Sequence, residues 1–505
     1  MKARLFGAIA AFFCCALLWA SPSRAEWRRA ESPHFILYGH LQEAELRQRI
    51  LLLEDFDHLL RTIIAVTEPP SPNKLHVYIV DDGRALRTVH PVPAGIAGFY
   101  TATPDGIAAV VDNSAESNAN EILFHEYAHH FMMQYRPNAY PAWYVEGFAE
   151  YFMTARFTDR HIDIGNYSPG RAYAIVEGHW LPMEQVLNAE PQRLSGEAMQ
   201  QFYAQAWLTV HYFYSTTERQ HALGRYLVAL RGDNPGAALQ TTTGLDAAGL
   251  TQELHHYIGS GHIEFRRMIR PESETPPPVT VTSLPRGADD LMVYAAALDI
   301  GMEEAEGREA LPRIRAAAAR HEGDPFAERV LAHAELLYGD PAVADRLLDQ
   351  LLAAAPHDAE LLYLKGMRYM VAAEHGDQWE ANTHSARSWF TRAHQADANH
   401  YQTLFRYAES LRRDRDYASE NNINVLLLAH QLAPQVSAIT LNAAAVLMGT
   451  GDNALAVSLL RPLAADPHDV DLAHAARQLI ERAQAHPASQ PAARPAPAPP
   501  AARPN

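Results

Sequence analysis

The spacing of apolar positions changes along this chain, and the changes divide it. Phe35-Ile36-Leu37-Tyr38 and Leu75-His76-Val77-Tyr78-Ile79-Val80 are short runs of branched and aromatic residues, which predict two strands. Between them Leu46, Ile50, Leu53, Phe56 and Leu60 recur at helical spacing, predicting one long helix over residues 42–66. Gly98-Phe99-Tyr100, a turn at Pro104-Asp105-Gly106 and the run Ile107 to Val111 predict a hairpin. Beyond Ser117 the helical period dominates.

A triple proline within Pro271 to Arg286 interrupts the pattern, so a linker is expected over 271–287, after a first domain of residues 26–270. Residues 288–485 are rich in alanine and leucine and repeat a helix-ending phrase. Pro356, Ala398, Pro434 and Pro467 stand at equivalent places in it, at spacings of 42, 36 and 33 residues. The longest interval carries an insertion near Glu374 to Thr383. An all-α solenoid follows, because each helical pair has an apolar face that only its neighbour can bury. This array resembles degenerate tetratricopeptide repeats (TPR), and the resemblance implies protein partners bound by the repeats. Residues 486–505 are Pro/Ala-rich with little to bury and are expected to be a disordered tail.

Composition narrows the setting. Lys2 and Arg4, the uncharged run Leu5 to Ala20 and the small residues of Ser23-Arg24-Ala25 form a secretory signal over residues 1–25. Export across the inner membrane to the periplasm or beyond is expected, with no membrane span once the signal is removed. Cys14 and Cys15 both lie inside it, so the mature chain has neither disulfides nor thiol chemistry. Loss of the signal removes Lys2, Arg4 and Arg24 and no acid, taking the formal charge from −17 to −20. A chain so acidic, without a basic stripe, is not expected to bind nucleic acid.

The chemistry concentrates in Ile122-Leu123-Phe124-His125-Glu126-Tyr127-Ala128-His129. Two histidines four apart share one helix face and can converge on an ion. Glu126, one step around the helix, stands beside that ion without ligating it and can take a proton from water. Imidazole ligands and a carboxylate base suit Zn2+. Downstream, Tyr203, Trp207, His211 and Tyr214 share a face of another helix. They are either an aromatic core stripe or the source of an oxyanion donor, Tyr203 first and His211 second.

The segment Trp143-Tyr144-Val145-Glu146-Gly147-Phe148-Ala149 resembles the Trp-x-x-Glu-Gly-Phe-Ala phrase of aminopeptidase-N-like gluzincins. The resemblance implies an α+β zincin-like metallopeptidase domain in which Glu146 is the third zinc ligand. The 16 residues between His129 and Glu146 make a shorter connection than is usual there. It further implies that Glu150 orients His125 and that an edge strand at residues 98–111 holds an extended peptide by main-chain hydrogen bonds. Metzincins are excluded by Met132 and Tyr135, where their pattern needs Gly and His. The expected activity is zinc-dependent hydrolysis of a peptide or protein substrate. All residues assigned to chemistry precede Pro271, so the repeats are expected only to select or localise substrates. The alternative is an envelope scaffold whose repeats bind proteins and whose zincin domain is non-catalytic.

Overall fold

A computed structural model describes residues 26–485, apart from 94, 116–118, 231–234, 260–262, 264, 271–274 and 377. The expected signal and the Pro/Ala-rich tail lie outside the described residues. The chain opens with strands β1 (Arg28–Glu31) and β2 (Phe35–Gly39), then helix α1 (Glu43–Ile64), β3 (Leu75–Val80) and α2 (Gly83–Val89). The hairpin β4 (Gly98–Ala102) and β5 (Ile107–Asp112) follows, as the turn at Pro104-Asp105-Gly106 predicts. Next come α3 (Ala119–Tyr135), α4 (Ala142–Met153), β6 (Arg156–Phe157) and β7 (His161–Ile164). Helices α5 (Pro169–Glu177), α6 (Met183–Leu187), α7 (Gly196–Tyr214), α8 (Thr217–Ala229), α9 (Pro235–Thr243) and α10 (Ala247–Gly259) lead to β8 (Arg266–Ile269) and β9 (Thr280–Ser283).

The main sheet is mixed, in the order β4-β5-β3-β2-β1-β9, with β2–β3 and β3–β5 parallel. Strand alternation sends Phe35, Leu37, Val77, Ile79, Ala109 and Val111 to one face, against α1 and α3. Tyr78, Val80, Ala108 and Val110 go to the other face, where residues 288–300 and α2 cover them. Burial on both sides explains why β3 and β5 read as continuous apolar runs. In α1 the five apolar residues at helical spacing are all buried. Strands β6, β7 and β8 form a second, three-stranded sheet.

The stretch read as a linker is not a free connector. Its Thr280–Ser283 pairs antiparallel with β1, covering what would be the open edge of the main sheet. Four residues behind a triple proline are too few to show strand alternation in sequence.

The rest is helical: α11 (Ala288–Ile300), α12 (Glu304–Ala318), α13 (Pro325–Tyr338), α14 (Pro341–Ala354), α15 (Ala359–Glu374) and α16 (Trp379–Ala396). Then come α17 (Tyr401–Ser410), α18 (Glu420–Leu432), α19 (Ser437–Gly449), α20 (Asn453–Ala464) and α21 (Val470–Ala485). Successive helices pack on one another as a solenoid-like array. Pro356, Ala398, Pro434 and Pro467 fall in the connections before α15, α17, α19 and α21, so the recurring phrase marks one kind of turn. Carboxylates of Asp324, Asp340, Asp358 and Asp452 accept the free backbone N–H groups at the starts of α13, α14, α15 and α20. Among the described residues no helix is long and apolar enough to cross a membrane.

The α/β region and the helical array share one continuous core. Buried Leu426, Leu432, Leu447 and Leu460 belong to the same apolar cluster as Phe124, Phe131 and Trp207. Polar contacts seal the join: Arg406 Nη2 donates to Asp105 Oδ1 at 2.7 Å, and Gln435 Nε2 to Gln134 Oε1 at 3.0 Å.

Candidate metal centre

Helix α3 is a core helix, with Leu123, Phe124, Tyr127, Ala128, His129, His130, Phe131 and Met132 all buried. Its rotation is fixed from below. The Tyr127 hydroxyl donates to Asp57 Oδ1 at 2.6 Å, and Phe56 stacks on Phe124 with ring centres 4.1 Å apart. Asp57 also takes a hydrogen bond from Arg61 Nε at 2.7 Å, and His34 lies against Asp57 and Glu54. That His34-Glu54-Asp57 group has a metal-like donor set. Its carboxylates are already engaged by Arg61, Tyr127 and His34, so it reads as a closed polar network that anchors α3.

Of the three histidines on this part of α3, two converge. His125 Nε2 and His129 Nε2 lie 3.1 Å apart. His130 turns away, with its Nδ1 3.2 Å from the Tyr100 hydroxyl. Glu146, on α4, brings Oε2 to 3.5 Å from His125 Nε2 and 3.6 Å from His129 Nε2. Ligands about 2.0–2.1 Å from a tetrahedral ion are separated by about 3.3 Å from each other. The three observed separations bracket that value.

The helix that carries Glu146 is seated by Gly147. A Cβ there would lie 2.4 Å from the Ala206 carbonyl oxygen on α7. The Glu-Gly pair thus joins a candidate donor to the residue that lets its helix touch the next. Glu146 is 1% exposed, and among the described residues neither of its oxygens has a hydrogen-bond partner; nor does the buried His129 Nδ1. A buried carboxylate without hydrogen bonds is costly, so these residues fit a bound cation.

Charge around the pair is strongly negative. Burial alone would lower the His125 pKa, but Glu146, Glu150 and Glu126 outweigh it and raise it to about 9. His129 is driven down to about 3, chiefly by burial. Burial works against ionisation of Glu146, yet His129, His468 and His125 together hold it at about 2. Burial also places Glu126 above the ordinary carboxylate range.

Glu150 is buried beside His125, but its nearest oxygen is 3.8 Å from His125 Nδ1, beyond hydrogen-bond reach. Arg171 clamps it in two-pronged fashion, Nε to Oε2 at 2.8 Å and Nη2 to Oε1 at 2.7 Å. The Arg171 guanidinium also lies over the Tyr203 ring, 4.9 Å from its centre. Tyr203 faces the same cavity as His125, Glu126 and His129. His211 does not. Its ring is held between the Tyr257 hydroxyl and the Gly165 carbonyl, each 2.9 Å away. Trp207 and Tyr214 are buried, so the aromatic stripe on α7 is mostly core, with Tyr203 at its open end.

The cavity above the pair measures about 510 Å³. Edge strand β4 supplies Tyr100, Thr101 and Ala102 to one wall. Gly98 lets that strand lie close to α3, since a Cβ there would sit 2.7 Å from Ile122 Cγ2. The opposite wall comes from the helical array: Gln435, Leu463, Asp466, His468 and Leu472. The expectation that the array stays clear of the chemistry therefore differs from the observed geometry. Sequence reading missed Arg171 and His468. Arg171 stands in a short helix without any motif, and His468 is separated from Glu146 by the whole array.

No protein-family model matches this chain, and no curated protein matches it. A solved structure, a thermophilic TPR protein of Thermus thermophilus, is similar over 39% of this chain and 99% of that one. The identity is 16% and the TM-score 0.32. A likeness this remote carries no argument, and the helical array described above stands on its own helices.

Proposed function

We propose that this protein is a zinc-dependent peptidase of gluzincin type whose metal is held by His125, His129 and Glu146. The observation that carries the reading is the triangle of donor atoms, 3.1, 3.5 and 3.6 Å apart, closed by a buried carboxylate that has no hydrogen-bond partner among the described residues. Zinc, when bound, makes water more acidic and polarises a carbonyl. Glu126, beside the ligands and facing the cavity, accepts the proton that water gives up and passes it to the leaving amine. The Tyr203 hydroxyl donates to the developing oxyanion. Strand β4, at the sheet edge, pairs with an extended peptide and aligns the bond to be cut. Arg171 holds the Glu150 carboxylate in place behind His125.

The leader would deliver the enzyme to the periplasm or the exterior, and the TPR-like array would add protein contacts. The opposing reading, a binding scaffold with an inert first region, gives no role to Glu126 and none to a buried Glu146 carboxylate that, among the described residues, receives no hydrogen bond. Elemental analysis of the purified mature protein should find about one zinc per chain. Glu126→Gln should keep that zinc and lose at least ~10²-fold in turnover of an unbiased peptide library. Zinc content unaffected by His129→Ala would overturn the metal assignment, and near-normal turnover in Glu126→Gln would overturn the role of the base.

A further inference from the structure

We propose that His468, in the turn between α20 and α21, is a positioning residue of the metal centre: its imidazole holds the Glu146 oxygen that faces away from His125 and His129. The inference rests on the reading of Glu146 as a ligand. It assigns to the helical array a direct part in the site.

Three observations carry it. First, His468 Nε2 lies 3.3 Å from Glu146 Oε1, whereas Oε2 is the oxygen turned toward the histidine pair. The two oxygens thus have different neighbours, and among the described residues neither receives a hydrogen bond. His468 is the group placed to donate to the outer one.

Second, the ring is packed against the ligands. It meets His129 edge-on, with ring centres 4.9 Å apart and planes at 76°. Its side chain is 54% exposed and lines the cavity.

Third, the turn that carries the ring is built to hold one shape. The Asp466 carboxylate accepts from the backbone N–H of His468 at 2.7 Å and of Asp469 at 3.3 Å. Asp469 in turn accepts from Leu472 N at 2.9 Å, starting α21. Leu463 before the turn and Leu472 after it pack into the core shared with α3 and α4. A free surface histidine would have no such support.

A carboxylate ligand with one oxygen on a cation needs a donor on the other, and partners of this kind commonly contribute ~10–100-fold to metal affinity. Here the donor comes from a helix pair 322 residues beyond Glu146. The metal centre is then complete only when the helical array is docked on the sheet region.

The test uses the full mature chain and reads zinc affinity by competition with a chelator, with the visible spectrum of the cobalt-substituted protein as a second readout. His468→Ala should weaken zinc by ~10–100-fold and alter the cobalt spectrum. The zinc-free protein should keep its unfolding midpoint, because the ring is half-exposed. His468→Gln, which retains an N–H at similar reach, should recover most of the affinity. Glu146→Ala serves as the reference and should lose zinc outright. If Glu146→Ala keeps zinc, the ligand reading itself fails. If Glu146→Ala loses zinc while His468→Ala binds it within twofold of wild type with an unchanged cobalt spectrum, the role given to His468 is overturned. A loss in His468→Ala that His468→Gln does not restore also overturns it, since the ring would then act through packing alone.

Discussion

Gly147→Ala tests the claim that close contact between two helices aims Glu146, the proposed third ligand. The added Cβ would lie 2.4 Å from Ala206 O, 2.7 Å from Val210 Cγ2 and 2.8 Å from Ala206 C. Two of these three atoms are backbone of α7 and cannot rotate aside. Ordinary contact begins near 3.4 Å, so α4 must retreat from α7 by about 1 Å. Overpacking of this kind costs about 1–3 kcal/mol. Replacing glycine by alanine inside a helix returns roughly 1 kcal/mol. The net expectation is a loss of about 0–2 kcal/mol in the zinc-free protein. Glu146 is the adjacent residue and moves with the helix. Metal sites hold their ligand distances to about 0.2 Å, so zinc affinity should fall at least ~10-fold.

Chemical denaturation of the zinc-free protein and chelator competition measure the two effects separately. Gly224→Ala is the control. It lies within α8, and a Cβ there meets nothing within 4 Å, so that variant should gain up to ~1 kcal/mol and bind zinc normally. A Gly147→Ala protein as stable as wild type, with unchanged zinc affinity, would refute the packing argument.

Two further expectations follow from the join between the regions. A chain truncated to residues 26–270 should fail to give a soluble, cooperatively folding protein. It lacks β9 and uncovers the core that α3 and α4 share with Leu432, Leu447 and Leu460; a monomeric, zinc-binding 26–270 fragment would contradict this. Asp299, at the end of α11, accepts a hydrogen bond from Tyr78 at 3.2 Å. Burial raises it from 3.8 to about 7, Arg329 and the Tyr78 hydroxyl opposing and Glu360 adding. Its folded value exceeds its unfolded one, so the folded state holds the extra proton between the two. Stability from this group is therefore greatest below pH 4 and is lost as pH rises toward 7. Asp299→Asn should stabilise the protein by about 4 kcal/mol at pH 8 and have no effect near pH 4. Equal effects at both pH values would refute the assignment.

The parts of this protein that the sequence determined by itself are those written in neighbouring residues. Strands β2 and β3, the β4–β5 hairpin, the buried stripe of α1 and the recurring turns of the helical array all follow from local period and turn chemistry. So does the pairing of His125 with His129, because a spacing of four residues on a helix is itself a geometry. Glu146 was readable through its Glu-Gly phrase, and the reason for the glycine became visible only where Ala206 lies against it. Tertiary structure alone decided the rest. It set Arg171 on Glu150 in place of a close bond to His125, engaged both nitrogens of His211 in the core, and turned a four-residue stretch beyond a triple proline into an edge strand. It also brought His468 onto the carboxylate of Glu146. These outcomes depend on which buried faces meet, and a buried face is matched by shape and apolar area across hundreds of residues. Local spacing carries no record of that match.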